Sequence, residues 1–371
     1  MRTDPQHLAP AAAEFAFLGR PVAFTRWGNG HINETWAVAL EGGAARRAIL
    51  QRINTDVFRD PDALMANVTR VTRHLTAKLA GSPDASLRAL TLIPATSGSG
   101  LHRDADGRVF RAYEFVEGAR SWDVLTSPRQ AYEAAKAFGS FQRLLSDLPP
   151  PRLAETIPHF HDTPWRLIRF REAVARDVLG RAAGVAREIT FVDGHEPLAM
   201  SLASLAAAGL LAERVTHNDT KLNNVLLDDV TGQGVCVIDL DTVMPGLLLH
   251  DFGDMVRTAT NPVAEDEADV SQVVASVPMF EGLVRGYLEA TGSLLSPLER
   301  DRLVLSGMVL AYECGMRFLT DHLEGDVYFR IQRAGQNLDR ARTQFALVSS
   351  LEERAEELSR LVESVAAEGA A

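Results

Sequence analysis

The sequence predicts an α+β protein of two lobes: a small mixed β-sheet lobe with one main helix, then a larger, mostly helical lobe. Three observations carry that expectation. The chain has 371 residues, more than one small core can organise, so two compact parts are the natural arrangement. Up to residue 116, short β-type runs alternate with turn signals. Beyond Gly118 the texture becomes helical, which places the lobes at 1–116 and 117–371.

The elements follow in order. "PVAFTRWGNGHINETWAVAL", "RRAILQRI" and "LRALTLIPA" read as strands separated by turn residues. In "PDALMANVTRVTRHLTAKLAG", Leu64, Val68, Val71 and Leu75 recur at helical spacing before Gly81, an amphipathic helix with a stop signal. Asp106-Gly107 sits between polar and apolar runs and signals a hairpin. In the second lobe, Phe138, Phe141, Leu145 and Leu148 mark a helix that Pro149-Pro150-Pro151 ends. From about residue 265, helix follows helix to "LEERAEELSRLVESVAAE".

Composition excludes several classes. Apolar residues at 46% and charged residues at 23% describe an ordinary folded protein. A formal net charge of -11, with no Lys/Arg-rich block, makes nucleic acid and anionic membrane poor partners. Asp4 and Glu14 argue against a secretory signal, and no apolar run approaches the ~20 residues of a membrane span. Cys236 and Cys314 sit in apolar stretches and read as buried free thiols. The expectation is a cytoplasmic protein.

The chemistry lies in "VTHNDTKLNNVLLD" and, further on, "GVCVIDLDTVMPG". The first is a polar loop feeding a short apolar run, because Asn, Asp and Thr side chains compete for local backbone bonds. The second is an apolar strand that ends in Asp239 and Asp241. Together they offer a cluster of hard oxygen donors around Asp219 and Asn224, which suits Mg²⁺. Asn224 can coordinate without adding negative charge beside a polyphosphate. Asp219 is left to face an incoming hydroxyl, the division of labour that phosphoryl transfer needs. Asp241 reads either as a second metal ligand or as a residue that bonds backbone, and His217 as a loop anchor.

"HNDTKLNN" followed by "VIDLD" resembles the catalytic loop and metal strand of the protein-kinase-like fold, in particular the aminoglycoside phosphotransferase and choline kinase superfamily. The resemblance implies that Asp219 is the catalytic base, that Asn224 and Asp239 hold Mg²⁺, and that the donor is ATP. It also implies that Gly246 and Asp251 brace the loop, so that "DFGD" at 251–254 is not a metal motif. Taken with "GNGHINETW", "ILQRIN", "VFRDPDALMANV", "DFGDMVR" and "RFLTDHLEGDVYF", the chain is similar to the N-acetylhexosamine 1-kinases. That likeness implies transfer to the anomeric hydroxyl of a small-molecule sugar, GlcNAc or GalNAc, with Arg317 and Tyr328 on the sugar. Gly28 and Gly30 would let loop backbone approach the phosphates. His31 would reach phosphate or sugar, or cap the turn. "YEFVEG" would be the hinge of a nucleotide-binding first lobe, with adenine at Glu114 and Val116.

One departure stands out. Kinases of this superfamily carry a Lys on the third strand, whereas "AILQRIN" offers Gln51 and Arg52. Arg52 is the candidate for phosphate contact, and strand alternation leaves open which of the two faces the cleft. Other readings keep the fold: a kinase of another hexose, an aminoglycoside, choline or homoserine, or a catalytically silent binding module. Protein kinase activity ranks lower, since Asn218 stands where an Arg is usual and no long activation segment follows Asp241.

Overall fold

The β-type runs of the first lobe form one twisted sheet. A computed structural model describes residues 8–28, 32–80, 88–124 and 126–369. After helix α1 (Leu8–Ala13) come β1 (Arg20–Arg26), β2 (Glu34–Glu41), β3 (Arg47–Ile53), helix α2 (Pro61–Leu79), β4 (Leu92–Ile93), β5 (His102–Arg103) and β6 (Val109–Glu114). The sheet order is β1-β2-β3-β6-β4, with β5 also pairing β6. The sheet expected as mixed pairs antiparallel throughout, as strands joined by short hairpins do. One such hairpin is at Asp106-Gly107, where Gly107 takes φ 78° and its N–H bonds Asp104 O at 3.0 Å. Helix α2 starts at Asp60, whose side chain accepts the Ala63 N–H. All four apolar residues expected on its inner face are buried.

The two faces of the sheet do different work. Ala48, Leu50, Phe110 and Ala112 pack with α1 in a core of their own. Residues alternate along a strand, so Ile49, Gln51 and Ile53 lie on the other face. There they meet Val109, Arg111 and Tyr113 across the β3–β6 register. That face turns to α2 and merges with the core of the second lobe.

The second lobe opens with β7 (Ala119–Arg120) and the helices α3 (Pro128–Leu145), α4 (Thr163–Arg176), α5 (Ala186–Gly194) and α6 (Glu196–Ala207). The short strands β8 (Arg214–Thr216), β9 (Val225–Asp228), β10 (Gly234–Val237) and β11 (Met244–Gly246) follow. β9 pairs with both β7 and β10, and β8 pairs with β11. The chain ends in α7 (Leu248–Ala259), α8 (Val277–Thr291), α9 (Pro297–Asp301), α10 (Leu303–Glu324), α11 (Gln336–Glu353) and α12 (Ala355–Glu368). α3 stops at Leu145, short of the Leu148 the pattern suggested, and packs closely on α8. A Cβ on Gly286 would stand 2.1 Å from Tyr132 O, so only glycine permits that approach. Among the described residues, α10 is long and apolar enough to cross a membrane, contrary to the expectation that no such stretch exists. Yet 78% of its apolar window is buried inside the protein, as in a core helix. Cys236 is buried, Cys314 half-buried, and both are free thiols.

Candidate active site

Between β8 and β9 the chain must turn sharply while leaving polar side chains free, and buried partners fix that turn. Asp251, fully buried in the first turn of α7, accepts the backbone N–H of His217 at 2.9 Å and of Asn218 at 2.7 Å. Its Oδ2, which takes the His217 N–H, also accepts a hydrogen bond from Gln142 Nε2 of α3 at 2.6 Å, and its backbone carbonyl receives Thr220 Oγ1 at 2.6 Å. Asn218 sits at φ 64°, where asparagine is tolerated better than most residues. Gly246 lies beneath it: a Cβ there would come within 2.3 Å of Thr216 Oγ1 and 2.5 Å of Asn218 Oδ1. His217 is the loop anchor its position suggested. Its Nε2 bonds Ile238 O at 2.9 Å, its Nδ1 accepts the Asp219 N–H at 3.3 Å, and Phe138 and Phe141 pack edge-on against its ring. The imidazole therefore ties the loop to the strand that carries Asp239.

That scaffold brings Asp219, Asn224 and Asp239 together. Asn224 Nδ2 donates to Asp219 O at 2.8 Å and Oδ2 at 3.3 Å, which turns its Oδ1 away, with no hydrogen bond to any described residue. Asp219 Oδ1 lies 3.3 Å from Lys221 Nζ. Burial pushes the Asp219 carboxyl up, but Lys221, His217 and Arg257 outweigh it and hold the group below the usual carboxylate range. Asp239 follows β10 in left-handed backbone, φ 58° and ψ 59°, a conformation that costs about 1–2 kcal/mol outside glycine. Its carboxylate has no ion-pair or hydrogen-bond partner among the described residues. Removal from bulk water and then the charges of Asp241 and Asp219 push it up to about 6. Two unspent oxygen donors, one of them in a negative field, fit a small divalent cation that keeps water and phosphate in its remaining positions.

Asp241 is placed differently from a ligand. It is 2% exposed; Oδ1 is ion-paired with Arg111 Nη1 and Oδ2 takes a hydrogen bond from Asn33 Nδ2 at 2.5 Å. With both oxygens occupied by side chains it braces the strand, a role different from both the metal ligand and the backbone contact expected for it. Arg52 also departs from expectation. It shares the Ala48/Leu50 face of β3 and pairs with Glu34 at 2.7 Å, away from the catalytic loop. A cavity beside it, lined by Ile32, Glu34, Asn54, Asp56 and Arg108, contains neither Asp219, Asn224 nor Asp239. Gln51 takes the inward position.

The remaining candidates fall into two groups. Gly28 has φ 70°, and a Cβ there would meet nothing, so glycine serves the backbone angle alone. Gly30 and His31 lie outside the described residues. Glu114 ends β6 with its N–H bonded to Thr91 O at 2.9 Å, and the backbone of Val116 bonds no described residue. On the other side of the loop, the Arg317 guanidinium stands over the rings of Phe160 (5.3 Å) and Phe329 (5.6 Å). Tyr328 packs edge-on to Phe329 and is 52% exposed. His161 joins this group to the catalytic loop. Its Nε2 bonds Asn218 O and its Nδ1 bonds Glu313 Oε1, both at 2.8 Å.

Two residues here carried no reading in the sequence. Lys221 faces Asp219, whose charge holds its ammonium well above the usual value. Arg166 of α4 bonds Phe160 O at 3.2 Å; burial and then the nearby Arg317 lower it to about 10. Among the described residues, neither Arg166 nor Arg317 has a carboxylate within ion-pair distance. Lys221 could have been noticed as the one cation inside the loop motif, whereas nothing local singles out Arg166 in "TPWRLIRFRE".

Fold and site together define a kinase-like phosphotransferase. Residues 23–286 match the model of the phosphotransferase enzyme family, and the chain belongs to that family. Solved structures share the architecture across almost their full length. Spectinomycin phosphotransferase, determined with ADP and spectinomycin, is 12% identical with a TM-score of 0.60, covering 96% of this chain and 99% of that one. Amicoumacin kinase in complex with AMP-PNP, Ca²⁺ and Ami is 14% identical with a TM-score of 0.58, covering 95% and 94%. A choline/ethanolamine kinase family protein from Mesorhizobium loti is 18% identical with a TM-score of 0.52, covering 93% and 92%.

Proposed function

We propose that this protein is a small-molecule kinase that moves the γ-phosphoryl group of ATP to a sugar hydroxyl, the anomeric hydroxyl of an N-acetylhexosamine fitting best. The observation that carries the phosphotransfer reading is the juxtaposition of Asp219, Asn224 and Asp239 on a loop held by Asp251. Asp219 accepts the proton of the acceptor hydroxyl as the new O–P bond forms. Its depressed carboxyl keeps it ionised at neutral pH, and an anomeric hydroxyl, more acidic than an ordinary alcohol, suits so weak a base. Lys221 stays protonated beside it and offers positive charge where the transferred group gains negative charge. Asn224 Oδ1 and the Asp239 carboxylate would hold Mg²⁺, which when bound offsets the charge of the polyphosphate. The hinge near Val116 is the adenine contact in this reading, and residues 1–116 form the nucleotide-binding lobe.

The sign of the acceptor pocket selects among substrates. Choline, ethanolamine and aminoglycoside acceptors carry positive charge and call for a negative wall. Arg166 and Arg317 present the opposite sign, with donors for hydroxyl and acetamide oxygens. The test is ADP release with Mg·ATP across N-acetylhexosamines, free hexoses, choline, homoserine and an aminoglycoside. Turnover of N-acetylhexosamines with a 1-phosphate product by phosphorus NMR supports the proposal. Preferential turnover of a cationic acceptor would sink the sugar reading while leaving the kinase standing.

A further inference from the structure

The inward face of the first-lobe sheet lacks a lysine on β3, and the position where one would face the cleft is Gln51. Directly across the β3–β6 register stands Arg111. It is 0% exposed and reaches in three directions. Its Nε donates to Gln51 Oε1 at 2.9 Å, its Nη1 pairs with Asp241 Oδ1, and its guanidinium lies over the Tyr113 ring at 5.2 Å. Its Nη2 is buried without an acceptor. An orphaned buried donor is destabilising, and an apolar pair of the same shape would avoid that cost. A purely architectural contact gives no reason to keep it.

Asp241 is the other half of the relationship. It lies two residues beyond Asp239, and its Oδ2 receives Asn33 Nδ2, while Asn33 Oδ1 accepts the Asn54 N–H at 3.0 Å. Three segments thus meet on one carboxylate: the sheet through Arg111, the lead-in to β2 through Asn33, and the segment that carries Asp239.

We propose that Arg111 takes the place of the missing strand lysine as a positioning residue: by gripping Asp241 across the lobes it fixes Asp239 relative to the sheet and to Asn33. Fully buried and ion-paired, it acts through Asp241 and not by touching phosphate. Lysine cannot reproduce this, because a single ammonium cannot hold Asp241 and Gln51 in one planar fork. The proposal builds on the phosphotransfer reading, and its test separates the two.

Two variants are compared with the wild type, Arg111→Lys and the double change Arg111→Met with Asp241→Leu, which removes the pair without stranding a buried charge. The first readout, hydrogen exchange of the 238–243 amides in the ligand-free protein, needs no activity. Both variants should exchange there about tenfold faster or more. The second is the Mg²⁺ concentration for half-maximal ADP release, expected to rise about 10- to 100-fold, the usual effect of losing a group that orients a metal ligand. Metal-free ADP affinity should stay within about twofold, since Arg111 touches no phosphate. A variant that unfolds more readily while keeping wild-type exchange and Mg²⁺ requirement would reduce Arg111 to a packing role and overturn the proposal. A tenfold loss of metal-free ADP affinity would overturn it in favour of direct phosphate contact. If the wild type releases no ADP at all, the phosphotransfer reading fails, and the exchange result still decides whether Arg111 fixes the strand.

Discussion

Asp251 accepts the backbone N–H of Asn218 at 2.7 Å from the buried start of α7, and this contact sets the direction in which Asp219 points. The neighbouring N–H of His217 and the amide of Gln142 share the same carboxylate. A loop rich in Asn, Asp and Thr has many local bonding options, and this buried acceptor, with the His217 contact to Ile238 O and the His161 contact to Asn218 O, selects one of them.

Asp251→Ala therefore leaves two backbone donors and one amide donor unpaired. At about 1–3 kcal/mol for each orphaned group, unfolding in urea should show a loss of roughly 3 kcal/mol or more. Phosphotransfer should fall further than stability alone explains, because Asp219 loses its orientation. A variant with wild-type stability and wild-type kcat would contradict the role given to this residue.

Arg52→Ala should leave the KM for ATP within about twofold, since a partly exposed pair such as Arg52–Glu34 is worth about 0–1 kcal/mol and faces away from the loop. Steady-state kinetics at fixed acceptor checks it. A tenfold rise would return Arg52 to the phosphates.

Arg166→Gln and Arg317→Gln should each raise the acceptor KM by about tenfold or more, as hydrogen bonds from a charged donor are worth about 1.5–3 kcal/mol. The KM for ATP should stay put. Because the two cations repel each other, thermal unfolding should show that Arg166→Gln costs little stability. Equal effects on both substrates would mean that the pair does not line an acceptor pocket.

The buried His161–Glu313 pair gives a pH signature. Burial disfavours charge on both, but each partner more than compensates for the other: the imidazole is raised and the Glu313 carboxyl is lowered to about 2. The histidine contribution is complete below its unfolded value, ~6.5, and disappears as pH rises through its higher folded value. The glutamate contribution is complete above ~4.3 and is lost only as pH falls towards 2. Urea midpoints of wild type and His161→Gln should differ more at pH 6 than at pH 9. An equal gap at both would show that His161 is neutral in the folded protein.

The parts of this site that could be read in the sequence are those the chain keeps local. Asp219 and Asn224 share one loop, Asp239 ends the next apolar strand, and covalent spacing alone nearly brings them together. The first-lobe sheet and α2 were equally legible, because the burial of Leu64, Val68, Val71 and Leu75 is a matter of helical period. Arg111, Arg166 and the bracing role of Asp241 were not. Each depends on which side chain faces which across elements far apart in sequence. The β3 run shows why: "AILQRI" is apolar on both faces, so alternation could not say whether Gln51 or Arg52 turned inward. Register with β6 decides it.

In the proposed reaction Asp219, held in a preformed site, takes the proton of the acceptor hydroxyl. That role is tested most directly by single-turnover transfer from Mg·ATP in wild type and Asp219→Asn, with nucleotide binding measured alongside. A general base contributes about 10²–10⁴-fold. The account predicts a loss of that size in Asp219→Asn with ATP affinity retained. Transfer within about threefold of wild type would contradict it and move the chemistry away from this loop.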